Sequence, residues 1–102
     1  MFNFTLDPTF KTKFRLQLPG GKSVPVTVEF KYFNRDQVRD YFDNLSGKND
    51  PESLAEIIVG WDGLGEAYSL DSITELCKRL PSAATQFFDA WRGELFEARR
   101  KN

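Results

Sequence analysis

The amino-acid sequence predicts an α+β fold, in which an N-terminal antiparallel β-hairpin or three-stranded meander packs against about four short C-terminal α-helices. Three observations lead to this fold class. Apolar and polar residues alternate over about 2–33, whereas apolar residues recur with helical spacing over about 34–100. The length of 102 residues suits one compact domain, so we expect residues 1–102 to fold as a single unit.

Two alternating segments on either side of a turn predict the hairpin. Their apolar positions are Phe14, Leu16, Leu18, Val24, Val26, Val28, Phe30 and Tyr32. The turn contains Pro19, which fixes φ, followed by Gly20 and Gly21, which tolerate positive φ. The same alternation in residues 2–6 predicts a third strand ahead of Pro8.

Start and stop signals indicate the first two helices. Asn34 and Gln37 have the spacing of a capping box, and Gly47 suits the end of the first helix. Pro51 is typical of the first turn of the second helix. The apolar face of the second helix is expected to consist of Leu54, Ile57, Ile58 and Trp61.

The second helix is expected to end in a glycine-rich loop that carries Trp61 and Asp62. The third helix begins at Ser69 or Ser72 and ends before Pro81, and the last runs from Ser82 to about residue 99. We predict turn roles for six residues of the two glycine-containing junctions, namely Gly20, Gly21, Gly60, Trp61, Asp62 and Gly63.

Composition excludes several kinds of chemistry. The chain has no His and one Cys, so it lacks a His general base, a His-containing zinc site and an intrachain disulfide. We therefore predict no enzymatic activity and no catalytic, cofactor-binding or metal-binding residues. The longest apolar run, residues 57–59, is too short to cross a bilayer, and the N-terminus lacks the features of a secretory signal. These features predict a soluble cytoplasmic protein.

Charge is distributed unevenly along the chain. The net charge of -1 argues against binding to nucleic acid. Residues 50–75 nevertheless carry seven Asp or Glu side chains and no Lys or Arg. Helix starts account for some of these acids, whereas Glu56, Asp62 and Glu66 remain unexplained. Two interpretations stay open, which are a solvated face and a docking surface for a basic partner.

The fifteen aromatic side chains exceed what four helices and a hairpin bury easily. Phe10, Phe33, Tyr68 and Phe96 lie outside the regular patterns and are candidates for binding a partner, together with the unexplained acids Glu56 and Glu66. For the aromatic members, the alternative is that they fill the seam between the hairpin and the helices. The sequence supports the two interpretations about equally.

Four sequence features, in this order, resemble the small tail assembly chaperones of long-tailed bacteriophages and prophages. They are Pro8-Thr9-Phe10, the hairpin of residues 14–33, Val59-Gly60-Trp61-Asp62-Gly63, and Leu80-Pro81-Ser82-Ala83-Ala84 ahead of a final aromatic helix. The resemblance covers the chain from Pro8 to its carboxyl end. The junction around Trp61 is its most distinctive part.

The resemblance implies a non-enzymatic protein of the bacterial host cytoplasm. Such a protein binds the tape measure protein, assists polymerisation of the tail tube protein, and is absent from the finished virion. Association with further copies of the same chain would fit the family. Within the junction, we expect Trp61 to anchor the loop in the core and Asp62 to accept hydrogen bonds from backbone amides of the turn.

Two other functions fit the same sequence. The first is a structural protein of the virion, such as a tail completion or head-tail joining component. The second is a small DNA-binding regulator, which the basic residues near both ends favour slightly.

Overall fold

The structure is a computed structural model that describes residue 4 and residues 6–97. The described part contains an antiparallel sheet in the order β1-β2-β3 and four helices. In chain order the elements are β1 (Thr9–Leu18), β2 (Lys22–Lys31), α1 (Arg35–Asp43), α2 (Asp50–Ala55), β3 (Ile58–Asp62), α3 (Leu70–Arg79) and α4 (Ala83–Phe96). The predicted α+β class is confirmed.

The hairpin forms as the alternation predicts. All ten residues of β1 pair with β2, from Thr9 opposite Lys31 to Leu18 opposite Lys22. The connecting turn places Gly20 and Gly21 at φ values of 84° and 77°, a region that residues with a Cβ rarely adopt. Even-numbered side chains of both strands point to the helices, and the odd-numbered ones form an outer face that is mostly polar.

The third strand comes from a different part of the chain than the alternation in residues 2–6 suggests. Phe4 and Leu6 are exposed and lie outside any strand, and residues 2, 3 and 5 lie outside the described residues. The third strand is β3, which pairs antiparallel with β2 from Thr27 opposite Asp62 to Phe30 opposite Ile58.

A β-bulge explains why β3 has the sequence pattern of a helix. Phe30 pairs with Ile58 and Glu29 pairs with Gly60, so Val59 is an extra residue without a partner on β2. The extra residue turns Ile58 and Trp61, three positions apart, to the same inner face of the sheet. That spacing is also helical, and the predicted helix from Pro51 through Trp61 is therefore wrong beyond the end of α2.

The helix caps follow the local sequence closely. The Asn34 carboxamide oxygen accepts a hydrogen bond from the Gln37 amide, and the Gln37 side chain accepts one from the Asn34 amide, each at 2.9 Å. Ser69 and Ser72 form the corresponding capping box of α3. The last helix is described to Phe96, and the predicted residues 98–99 of that helix lie outside the described residues.

Helix α4 crosses the inner face of the sheet and forms much of the core. Its residues Phe87 and Trp91 are fully buried. The Trp91 indole N–H donates to the backbone oxygen of Lys31 at 3.0 Å. At the other end, the Gln86 carboxamide hydrogen-bonds both the backbone amide and the backbone oxygen of Gln17, at 2.7 and 3.0 Å. These polar contacts fix the helix at both ends of the hairpin.

Tyr41 joins helix α1 to helix α2. Its hydroxyl donates to the backbone oxygen of Ser53 at 2.6 Å. Burial, together with the negative charge of Glu56, raises the pKa of Tyr41, so its hydroxyl remains protonated and available as a donor. The contact gives the Ser53 carbonyl a second hydrogen bond beside the one it accepts from the Glu56 amide at 3.3 Å, and it links α1 to α2.

Thr12 provides a test of the core. Thr12 lies on the inner face of β1 and is 6% exposed. Its hydroxyl has no hydrogen-bond partner among the described residues. We expect Thr12→Val to raise the free energy of unfolding by about 1 kcal/mol, because an unsatisfied polar group is replaced by a methyl group. Urea denaturation measures the change. Thr27→Val on the outer face is the control, with a change near zero, and a destabilised Thr12→Val protein would contradict the prediction.

Gly63 provides a test of the junction after β3. It has a φ of 95°, and a Cβ at this position would lie 2.6 Å from the Pro25 backbone oxygen. Gly63→Ala should lower the free energy of unfolding by about 3 kcal/mol, from backbone strain and overpacking combined. Gly47 has a φ of 84° but faces open space, so Gly47→Ala should cost only about 1 kcal/mol. Equal losses in thermal or urea unfolding would rule out the steric explanation.

Candidate functional site

A cleft of about 240 Å³ lies between the loop that follows β3 and helix α3. We refer to it as the α3 cleft. Its lining combines apolar side chains with charged ones, namely Trp61, Leu64, Gly65, Glu66, Ser72, Glu75, Leu76 and Arg79. The cleft is thus a concave surface with an apolar interior and polar edges, which is the usual composition of a recognition site.

Trp61 forms the fixed part of this cleft. The bulge in β3 turns its side chain inward, where the indole stacks on Phe87 with ring centroids 6.2 Å apart and an interplanar angle of 18°. Tyr68 packs edge-on against it at 5.1 Å. The indole N–H donates to the backbone oxygen of Glu66 at 2.8 Å, so Trp61 also holds the loop that covers it.

The opposite wall of the α3 cleft is set by the start of helix α3. The Ser72 hydroxyl donates to the backbone oxygen of Ala67 at 2.9 Å, and the Ser69 hydroxyl accepts a hydrogen bond from the Ser72 amide at 3.0 Å. The first turn of α3 is therefore hydrogen-bonded to the loop that precedes it, both at Ala67 and at Ser69. Burial raises the pKa of Tyr68, which lies next to this junction, so its phenol is neutral at physiological pH.

Carboxylates outnumber basic side chains in residues 50–75, the segment that supplies most of the lining of the α3 cleft. Glu75 pairs with Arg79 at 2.9 Å, and this hydrogen bond lowers the pKa of the Glu75 carboxyl. Glu56 pairs with Lys48 at 2.8 Å. The other five acidic residues of 50–75 form no ion pair with any described residue, and they are Asp50, Glu52, Asp62, Glu66 and Asp71. This segment therefore carries an excess of negative charge.

A second candidate surface lies where helix α1 meets helix α4. Five aromatic side chains contact one another there, and we refer to Phe33, Tyr41, Phe42, Phe88 and Trp91 as the aromatic cluster. Trp91 and Tyr41 are buried, whereas Phe33 and Phe88 are half-buried and Phe42 is 41% exposed. The cluster thus extends from the core to the surface.

The six predicted partner-binding residues do not form one site. Tyr68 and Glu66 lie at the α3 cleft, and Phe33 belongs to the aromatic cluster. The other three are separate. Phe10 is half-buried against Phe30, Glu56 is half-buried and paired with Lys48, and Phe96 is 60% exposed near the end of α4.

The predicted junction around Trp61 differs from the structure in two respects. Gly60, Trp61 and Asp62 are residues of β3 and not of a loop. The Asp62 carboxylate is exposed and accepts no hydrogen bond from any described residue, so the predicted contact with turn amides is wrong. Gly63, with its positive φ, is the residue that begins the turn.

Sequence reasoning missed the residues that give both surfaces their shape. Phe42 has the helical spacing of a core residue relative to Val38 and Tyr41, yet it is exposed at the edge of the apolar face of α1. Leu76 has the helical spacing of an ordinary core residue and Leu64 lies in the glycine-rich loop, so neither indicates a cleft in the sequence. Their common role in the α3 cleft arises only when the loop after β3 folds over α3.

Two further properties concern residue 4 and residues 6–97. This part of the chain contains no group of three His, Cys, Asp or Glu side chains positioned to hold a metal ion. None of its helices has both the length and the apolar character needed to cross a membrane.

Cys77 is half-buried, and burial raises the pKa of its thiol.

Comparison with known proteins identifies the family. A family model described as phage tail assembly chaperone matches residues 1–102, which is the whole chain. No curated protein and no solved structure matches the chain. Because the match extends over all residues and agrees with the resemblance found in the sequence, the chain belongs to the phage tail assembly chaperone family.

Proposed function

We propose that this protein binds the tape measure protein and assists polymerisation of the tail tube protein around it, without catalysing a reaction. Membership of the family supports a role in phage tail assembly. In this proposal the protein acts in the cytoplasm of the bacterial host while tails are being built. Further copies of the chain acting along one tape measure protein would extend the same contact over a long partner.

The aromatic cluster is the observation that carries this proposal. Phe42 is 41% exposed and lies 6.4 Å, between ring centroids, from the fully buried Trp91. An exposed ring backed by a rigid core is the kind of residue that contributes most to binding between proteins. An amphipathic helix of the tape measure protein would place its apolar side chains against this surface, in a helix-in-groove contact.

Phe42 therefore offers a direct test. We expect Phe42→Gln to weaken binding to the tape measure protein roughly tenfold or more, since an exposed aromatic anchor is lost. The affinity of the purified proteins is measured by isothermal titration calorimetry. Leu70→Gln is the matched control, because Leu70 is 54% exposed on α3 and belongs to neither candidate surface. It should leave the affinity unchanged.

Two results would contradict the proposal. The first is unchanged binding by Phe42→Gln, with thermal unfolding similar to that of the unmodified protein. The second is the presence of the protein in stoichiometric amount in purified phage particles, measured by mass spectrometry. That result would favour a structural protein of the virion.

A further inference from the structure

The α3 cleft is separate from the aromatic cluster and has a distinct chemistry. Its volume of about 240 Å³ is below the ~300–1,000 Å³ typical of sites that enclose a whole small molecule. It therefore suits one or two side chains of a protein partner. The Trp61 indole and the Leu64 and Leu76 side chains provide apolar contact inside it.

Charge indicates which side chains fit. Glu66 and Glu75 line the cleft, and Asp71 adjoins the lining residue Ser72 in the sequence. Arg79 is the one basic residue among those lining the cleft, and its charge is matched by Glu75 at 2.9 Å. The carboxylates that remain favour a partner with positive charge and disfavour an acidic segment or a nucleic acid.

The cleft is also organised before a partner arrives. The hydrogen bond from Trp61 to the Glu66 backbone oxygen fixes the indole, and the contact with Phe87 supports one of its faces. The capping box of Ser69 and Ser72 fixes the opposite wall. Binding of a partner side chain in the cleft therefore costs little conformational entropy in this protein.

We infer that the α3 cleft binds a basic amphipathic helix of the partner, with one large apolar side chain inside the cleft and a Lys or Arg one turn away beside Glu66. The inference rests on the proposed function, since it assigns this helix to the tape measure protein. It specifies a contact that is electrostatic and apolar together, in addition to the purely apolar contact at the aromatic cluster.

Overlapping synthetic peptides that span the tape measure protein of the same phage provide the test. Trp91 is fully buried, so protection from acrylamide quenching on peptide binding would report on Trp61. Peptides with an apolar residue one turn from Lys or Arg should protect Trp61. Glu66→Lys keeps the backbone oxygen that Trp61 uses, and it should weaken their binding about tenfold at low salt, with a smaller effect at high salt.

Two comparisons isolate the charge effect. Asp43→Lys makes the same charge change on α1, which does not line the cleft, and it should leave affinity nearly unchanged. A peptide whose Lys or Arg is replaced by Glu should bind Glu66→Lys more tightly than it binds the unmodified protein. Thermal unfolding of each variant checks that the fold is retained.

Each other outcome overturns the inference in a recognisable way. If the full tape measure protein binds but Glu66→Lys behaves as the unmodified protein, the cleft is not its contact site and the proposed function stands. If the unmodified protein binds neither the full tape measure protein nor any peptide, the proposed function fails as well. If Glu66→Lys changes the oligomeric state in light scattering and leaves peptide binding intact, the cleft is an interface between copies of this chain.

Discussion

The contact between Trp91 and the end of β2 is the constraint on which the rest of the structure depends. The fully buried indole donates its N–H to Lys31, so the largest side chain of α4 can take only one position along the sheet. Phe33 and Tyr41 pack against the same ring, at 5.7 and 5.4 Å between centroids, and this places α1 beside α4. An unsatisfied indole N–H in this core would cost about 1–3 kcal/mol. A shift of α4 along the sheet that broke the hydrogen bond of Trp91 to Lys31 would therefore destabilise the fold.

One turn earlier on α4, Phe87 connects this core to the α3 cleft. Its ring contacts Phe14 of β1 on one side and Trp61 of β3 on the other. The two candidate surfaces thus share a single helix, although their chemistry differs. The aromatic cluster presents apolar area, whereas the cleft adds negative charge. A partner with an amphipathic and basic sequence would satisfy both surfaces, which is what the proposed binding to the tape measure protein requires.

The sequence predicts those parts of the fold that depend on local chemistry. The capping box of Asn34 and Gln37 and the turn of Pro19 with the two following glycines depend on hydrogen bonds and φ preferences of residues close in the chain. Their patterns can therefore be recognised in the sequence alone. The bulge at Val59 cannot be recognised in this way, because only the pairing of β3 with β2 distinguishes its sequence from that of a helix. The α3 cleft is harder still. Charge showed that residues 50–75 are acidic, but which carboxylates are paired depends on Lys48 and Arg79, outside that segment.

The contact of Gln86 with the backbone of Gln17 has a consequence for the edge of the sheet. Strand β1 is an edge strand, and its free amides and carbonyls could pair with a strand of another molecule. The Gln86 carboxamide occupies the donor and the acceptor of Gln17, as an adjacent strand would. Lys11, Lys13 and Arg15 place like charges along the remainder, so two β1 edges repel each other. The β1 edge is thereby protected from uncontrolled extension of the sheet.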